Sequence, residues 1–290
     1  MRVLDVEGLR MRYGTTDVLH DVTFQVERGE VLALLGPNGA GKTTTIEILE
    51  GFRMRSAGRV DVLGTDPAYG DERWRAGVGV VLQSWRDHGK WRVRELLDHL
   101  GSYYRAYASA TVQRPWNADE LIEAVGLTSQ AKQKVKFLSG GQRRRLDVAI
   151  GIVGRPEVLF LDEPTTGFDP AARHDFHDLV QRLAREQGTT ILLTTHDLDE
   201  AERLADRIVI LAGGRIIADG SSDELARRIA GQDEVRWTRD GQAFQQRTGE
   251  STAFVRELFN QYGELIGDLE VRRASLEATY LSLVQESETR

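Results

Sequence analysis

The chain has 290 residues, 40% hydrophobic and 29% charged, which suits a soluble globular protein with room for one large domain and one small one. A formal net charge of −7 repels phosphate backbones, so no nucleic-acid partner is expected, and the absence of cysteine excludes disulfides, thiolate catalysis and cysteine metal sites. No apolar run approaches the ~20 residues of a spanning helix, and acids stand near the N-terminus where a signal peptide needs apolar residues. Any membrane role is therefore expected to run through a partner.

Leu4, Val6 and Leu9, then Val22, Phe24 and Val26 in strict alternation, predict half-buried strands over 3–26. Val31-Leu32-Ala33-Leu34-Leu35 reads as a fully buried strand, and a helix opens at Thr44. Further strands are expected at 58–64 and 77–82. From about 90 to 152 the apolar spacing turns helical, as in 94–100 and in 119–125 with Gly126 as its C-cap, which predicts a helical lobe inserted into the core. Strands return at 158–161 and 189–195, separated by a helix over 171–187. Buried strands alternating with helices imply an α/β fold whose core sheet is mostly parallel and covered on both faces. A hairpin over 208–218 and a capping box at Ser221 and Glu224 close this domain at about residue 228. Residues 229–290 read as a small accessory α/β lobe: two strands turning at Asp240-Gly241, a helix over 251–262, a strand over 265–271 and a helix over 275–284.

Three motifs carry chemistry. Gly36-Pro37-Asn38-Gly39-Ala40-Gly41-Lys42-Thr43-Thr44 fits the phosphate-loop pattern, between a buried strand and a helix. Bare glycine backbone lets N–H groups approach a triphosphate, Lys42 brings a cation to its β- and γ-phosphates, and the Thr43 hydroxyl can reach Mg²⁺. Asp162-Glu163 ends the apolar strand Val158–Leu161. Two solvated acids at a strand end would be unremarkable alone. Beside a phosphate loop, Asp162 is placed to hold Mg²⁺ and Glu163 to orient or deprotonate the attacking water. Leu138-Ser139-Gly140-Gly141-Gln142 precedes a helix starting near Arg143, and so offers a second anion cradle without a lysine.

At Leu138–Gln142 the chain resembles the ATP-binding cassette family, whose signature is this Leu-Ser-Gly-Gly-Gln, and the order of motifs matches from about Leu4 to Ser222. The resemblance implies a phosphate-loop NTPase cassette that binds ATP and Mg²⁺ and hydrolyses ATP. It also implies further roles. Gln83 resembles the glutamine that touches Mg²⁺ and the attacking water and couples to a transmembrane partner. Tyr13 resembles the aromatic that stacks on adenine, Asp169 the aspartate that crosses the dimer interface, and His196 the switch histidine on the γ-phosphate. Ser139, Gly140, Gly141 and Gln142 would serve the ATP of the opposite subunit. A homodimer or heterodimer of cassettes sharing two ATPs is therefore implied, at the cytoplasmic face of a membrane, beside a separate permease.

The segment Arg273–Leu281 partly resembles the ending of ATPases that serve drug-resistance and polysaccharide exporters, with Ala278, Thr279 and Tyr280 as departures. Trp91 and Arg92 depart from the same group's pattern ahead of Val93-Arg94-Glu95. An exporter ATPase is the reading this supports. The alternative is a soluble cassette acting on ribosomes or DNA; those types usually carry two cassettes, long coiled coils or zinc cysteines, none of which occurs here. A phosphate-loop kinase with an accidental signature would not explain the ordered series Gln83, Ser139, Glu163, Asp169, His196. His174 and His177 read as a solvated helix face, Arg143, Arg144 and Arg145 as surface or interface, and His88, Tyr103 and Tyr104 as packing of the helical lobe.

Overall fold

The alternation at the N-terminus produces two long strands, β1 (Arg2–Tyr13) and β2 (Thr16–Glu27), which pair antiparallel and bury Leu4, Val6, Leu9, Val22, Phe24 and Val26 on one face. The computed structural model describes residues 1–81, 88–110, 112–165, 167–229, 233–272 and 280. β3 (Val31–Leu35) is buried at every position and leads through the glycine-rich loop into α1 (Lys42–Leu49). β4 (Ala57–Val62) pairs with β1, giving a three-stranded sheet of order β2-β1-β4. α2 (Glu72–Gly77) and β5 (Val78–Val81) follow. The sequence reading has no helix at α2 and begins the next strand at Gly77. The missed signal is Asp71, whose side chain caps the Trp74 N–H at 2.7 Å.

The helical lobe holds α3 (Val93–Ser102), α4 (Ala118–Ala124) and α5 (Gly140–Ile152). β6 (Val158–Asp162), α6 (Pro170–Gln187), β7 (Thr190–Thr195), α7 (Leu198–Leu204), β8 (Arg207–Ala212) and β9 (Arg215–Gly220) complete a six-stranded sheet of order β5-β6-β7-β3-β8-β9. The pairs from β5 through β8 are parallel, as continuous apolar runs separated by helices require. Gly79 and Gly151 set how α5 meets this sheet. A Cβ on Gly79 would lie 2.5 Å from the Gly151 carbonyl oxygen, and one on Gly151 2.5 Å from Val81 Cγ2. Only bare backbone at both positions allows the helix this close to β5.

Met1–Ile216 and Ile217–Arg290 form two compact units, divided inside β9 and ahead of the boundary at 228 that sequence texture indicates. In the second unit Ser221 and Glu224 form the expected capping box at the start of α8 (Ser222–Ile229). β10 (Asp233–Arg239) and β11 (Gln242–Thr248) make a hairpin in which Asp240 and Gly241 both have positive φ, the geometry a two-residue turn needs. α9 (Ser251–Tyr262) and β12 (Ile266–Arg272) complete the lobe, with β12 on the other side of β10. Its core is Val235, Trp237 and Leu258, with Phe244 stacked on Trp237 at 5.6 Å. The tail 273–281, on which the exporter resemblance partly rests, lies outside the described residues except for Tyr280.

Candidate nucleotide site

The sheet order brings three strand ends together. β7 lies between β3 and β6, with Thr195 level with Leu35 and Thr194 level with Asp162. Gly36, Glu163 and His196 therefore leave the sheet side by side at its carboxyl edge, where open parallel sheets bind their ligands.

The loop is shaped for an anion. Lys42 Nζ donates to the carbonyls of Gly36 at 2.6 Å and Pro37 at 3.1 Å, so the loop curls around its own lysine. That side chain is buried, and desolvation pushes its pKa down, against the raising effect of Glu163 and Asp162. A Cβ on Gly36 would sit 2.2 Å from the Leu211 carbonyl oxygen, and one on Gly41 2.5 Å from Leu19 Cδ2, so neither position admits a side chain. Gly41 also has φ of 105°, and no side chain caps α1. The first-turn N–H groups are thus left for a phosphate. Asn38, Gly39 and Thr43 are exposed, Pro37 and Thr44 half-buried, and Ala40 belongs to the core.

The acidic strand end is held from two sides. Thr194 Oγ1 donates to Asp162 Oδ1 at 2.5 Å, while the Glu163 N–H donates to Thr194 Oγ1 at 3.1 Å and to the Thr194 carbonyl at 3.2 Å. Glu163 has φ of 44°, in the left-handed region that a non-glycine residue enters only at a local cost of about 1 kcal/mol or more. That turn aims its carboxylate at His196, with 3.3 Å between Oε1 and Nδ1. From the opposite side comes Arg144. Its guanidinium is buried and donates to the carbonyls of Pro164 at 2.8 Å, Asp162 at 3.0 Å and Glu163 at 3.2 Å. Arg144 is thus no surface cation, as the sequence reading had it. Burial pushes its pKa down, countered by Asp147, Asp162, Glu163 and Glu200. Arg143 and Arg145 pair with Asp147 and Asp175.

Ser139 caps α5, accepting from the Gln142 N–H at 3.3 Å, while its own N–H donates to Gln142 Oε1 at 3.0 Å. A Cβ on Gly140 or Gly141 would meet nothing within 4 Å, so this turn presents open backbone. Asp169 caps α6, accepting from the Ala172 N–H at 2.7 Å. Tyr13 is 38% exposed at the end of β1, with the Arg53 guanidinium 5.0 Å from its ring centroid. Gln83 lies outside the described residues. His174 is solvated, but His177 is buried, with Nε2 3.9 Å from Glu200 Oε1. Among the described residues no cluster of three His, Cys, Asp or Glu could hold a metal ion. Thr43 and Asp162 would hold Mg²⁺ together with phosphate oxygens, whose charge the ion would neutralise.

Glu50, which follows α1, is a buried acid that the sequence reading does not single out. Desolvation first, then Asp162 and Glu47, push its pKa from 4.5 up to about 8. Between those values the unfolded chain has released the proton that the native state keeps, so this group's contribution to stability is complete below pH 4.5 and lost as pH rises to 8. Glu50→Gln cannot ionise. Its stability advantage over the wild type is expected to be near zero at pH 4 and about 3 kcal/mol at pH 7. Urea titrations of the nucleotide-free protein at several pH values measure the difference; a constant gap would contradict the assignment.

The site and fold define a phosphate-loop ATPase cassette, and comparison with known proteins agrees. The family described as ABC transporter matches residues 19–166. The Nod factor export ATP-binding protein I of Ralstonia nicotianae is 44% identical over 234 residues, 80% of this chain and 71% of its own length. The daunorubicin resistance ATP-binding protein DrrA3 of Streptomyces coeruleorubidus is 41% identical over 228 residues, 79% of this chain and 71% of its own. A solved structure of an ATP-binding subunit of an ABC transporter superposes with a TM-score of 0.73 at 28% identity, covering 97% of this chain and 99% of that one. The chain belongs to the ABC transporter family, as one of its ATP-binding and ATP-hydrolysing cassettes.

Proposed function

We propose that this protein is the ATPase subunit of a membrane exporter, working as a head-to-tail dimer that encloses two MgATP. The observation that carries the dimer is the unequal completeness of two cradles. The loop at Gly36–Thr44 has its lysine, its acids and its histidine, whereas the turn at Ser139–Gln142 has open backbone and no lysine. Such a turn can complete a phosphate site but not make one. Each ATP would then lie between one subunit's phosphate loop and the other's Ser139 turn. Tyr13 would stack on adenine, and Gln83, Asp169 and His196 would act at the γ-phosphate and the interface.

The names of the relatives, in Nod factor export and daunorubicin resistance, support an exporter with a separate permease. Among the described residues no helix is long and apolar enough to cross a membrane. Binding at the cytoplasmic face of the membrane is the corresponding location, with residues 1–228 as cassette and 229–290 as accessory lobe. The cargo would be recognised by the permease.

Two experiments test this. In a Glu163→Gln background, Ser139→Arg is expected to keep nucleotide binding and lose the ATP-induced dimer seen by size-exclusion chromatography; a persisting dimer would overturn the shared site. Tagged Glu163→Gln, purified from its own cells with MgATP, is expected to carry a polytopic membrane protein at near-equal stoichiometry. Ribosomes or DNA-repair proteins in its place would leave the ATPase standing and refute transport.

A further inference from the structure

Tyr13 is held by more than its own strand. β1 ends at this residue, and its pairing with Thr16, together with the fork of Arg12 on Asp17 at 2.5 and 2.6 Å, closes the turn into β2. The segment that follows α1 runs alongside. The Ser56 N–H donates to the Arg10 carbonyl at 2.9 Å, and the Arg12 N–H donates to Ser56 Oγ at 3.0 Å. From the same segment comes Arg53, whose guanidinium carbon lies over the Tyr13 ring, 5.0 Å from its centroid. One face of the aromatic is thus covered by a cation, which leaves the other for a base.

Arg53 is fixed in that position by a single residue of α1. Its backbone N–H donates to the Glu47 carbonyl at 3.0 Å, beside the Phe52 N–H at 2.9 Å, and its Nε donates to the Glu47 carboxylate at 2.6 Å. Gly51 makes the turn that brings it there. Its φ is 76°, and a Cβ on it would lie 2.6 Å from the Pro67 carbonyl oxygen. The side chains of Arg53 and Glu47 are 35% and 32% exposed, and such a pair contributes little to stability. Its consequence is geometric. A cation held against one face draws ring density toward itself and restrains the ring. A purine stacking on the opposite face then meets a surface already oriented, so less side-chain freedom is lost on binding.

We propose that Arg53 is the positioning residue of a base platform: held by Glu47, it backs Tyr13 and so raises affinity for the purine of the nucleotide without touching the nucleotide itself. The proposal rests on the reading of Tyr13 as the adenine-stacking aromatic and adds what orients it. It also makes α1 the spacer of the whole site. Lys42 is its first residue and serves the phosphates, while Arg53 stands four residues past its last and backs the base. One rigid helix therefore sets the distance between the two halves of the nucleotide's binding surface.

The test titrates the full chain by calorimetry with MgATP and, as a ligand without a base, with magnesium tripolyphosphate. Arg53→Gln removes the cation. Its Kd for ATP is expected to rise about three- to fivefold, while that for tripolyphosphate keeps the wild-type value. In a Tyr13→Leu background the same substitution is expected to cost nothing further, because Arg53 acts through the ring. Equal losses on both ligands would place the effect in the phosphate loop or the fold. A full loss in the Tyr13→Leu background would mean that Arg53 meets the nucleotide directly. Either result overturns the proposal, and so does an unchanged ATP affinity in Arg53→Gln. Failure of the underlying adenine reading shows differently, as Tyr13→Leu alone binding ATP as tightly as the wild type.

Discussion

Glu163→Gln is expected to lower ATP turnover by about 10²–10⁴-fold while nucleotide affinity stays within a few-fold of wild type. Glutamine keeps the shape of the side chain and can still meet His196, but it cannot take a proton from the attacking water. The backbone that fixes this position does not depend on the carboxylate. It is held by the Thr194 hydroxyl and carbonyl on one side and by Arg144 on the other, so the substitution leaves its surroundings intact. Loss of turnover with binding preserved is the pattern of an interaction made only in the transition state. Steady-state ATPase assays and nucleotide titrations check this directly, and turnover near wild type would remove Glu163 from the role of general base.

Lys42→Ala should act on binding instead. The ammonium is the buried cation of the loop, and its removal leaves the triphosphate without a charge-assisted partner in a largely desolvated site. A loss of about 2–4 kcal/mol follows, or roughly 30- to 1,000-fold in Kd for ATP. Lys42 also donates to Gly36 and Pro37, so part of the loss would come from a loop no longer held in shape. Lys42→Met fills the same space but neither carries charge nor donates to Gly36 and Pro37, so equal losses in both variants would assign the effect to the ammonium and not to lost packing. Calorimetric titration with ATP gives the affinities, and unchanged binding would undo the phosphate-loop assignment.

The architecture was legible because its signals are local. Continuous apolar runs named β3, β6 and β7, strict alternation named β2, and the glycine spacing between a buried strand and a helix named the loop. What escaped depends on contacts distant in sequence. Arg144 looks like the middle of a surface cluster until the fold places the backbone of Asp162–Pro164 against it. Thr194 reads as a polar residue ending a strand, and only the pairing of β7 with β6 shows it holding both acids. Glu50 follows a short helix as any solvated acid would, and its burial comes from the walls of a cavity drawn from several elements. The short helices α2 and α7 are too brief for periodicity, though Asp71 and Asp197 at their caps were readable.

The two glycines where α5 meets β5 have a consequence for tolerance to change. Ser139 lies twelve residues from Gly151, or about 18 Å along the helix. A single methyl group at Gly151 would collide with Val81 and tip the far end of this rigid shaft, moving the signature turn without touching any residue of the nucleotide site. In the proposed dimer, alignment of the two cradles would thus be set at the seat of this shaft, where the smallest residue governs the position of a turn twelve residues away.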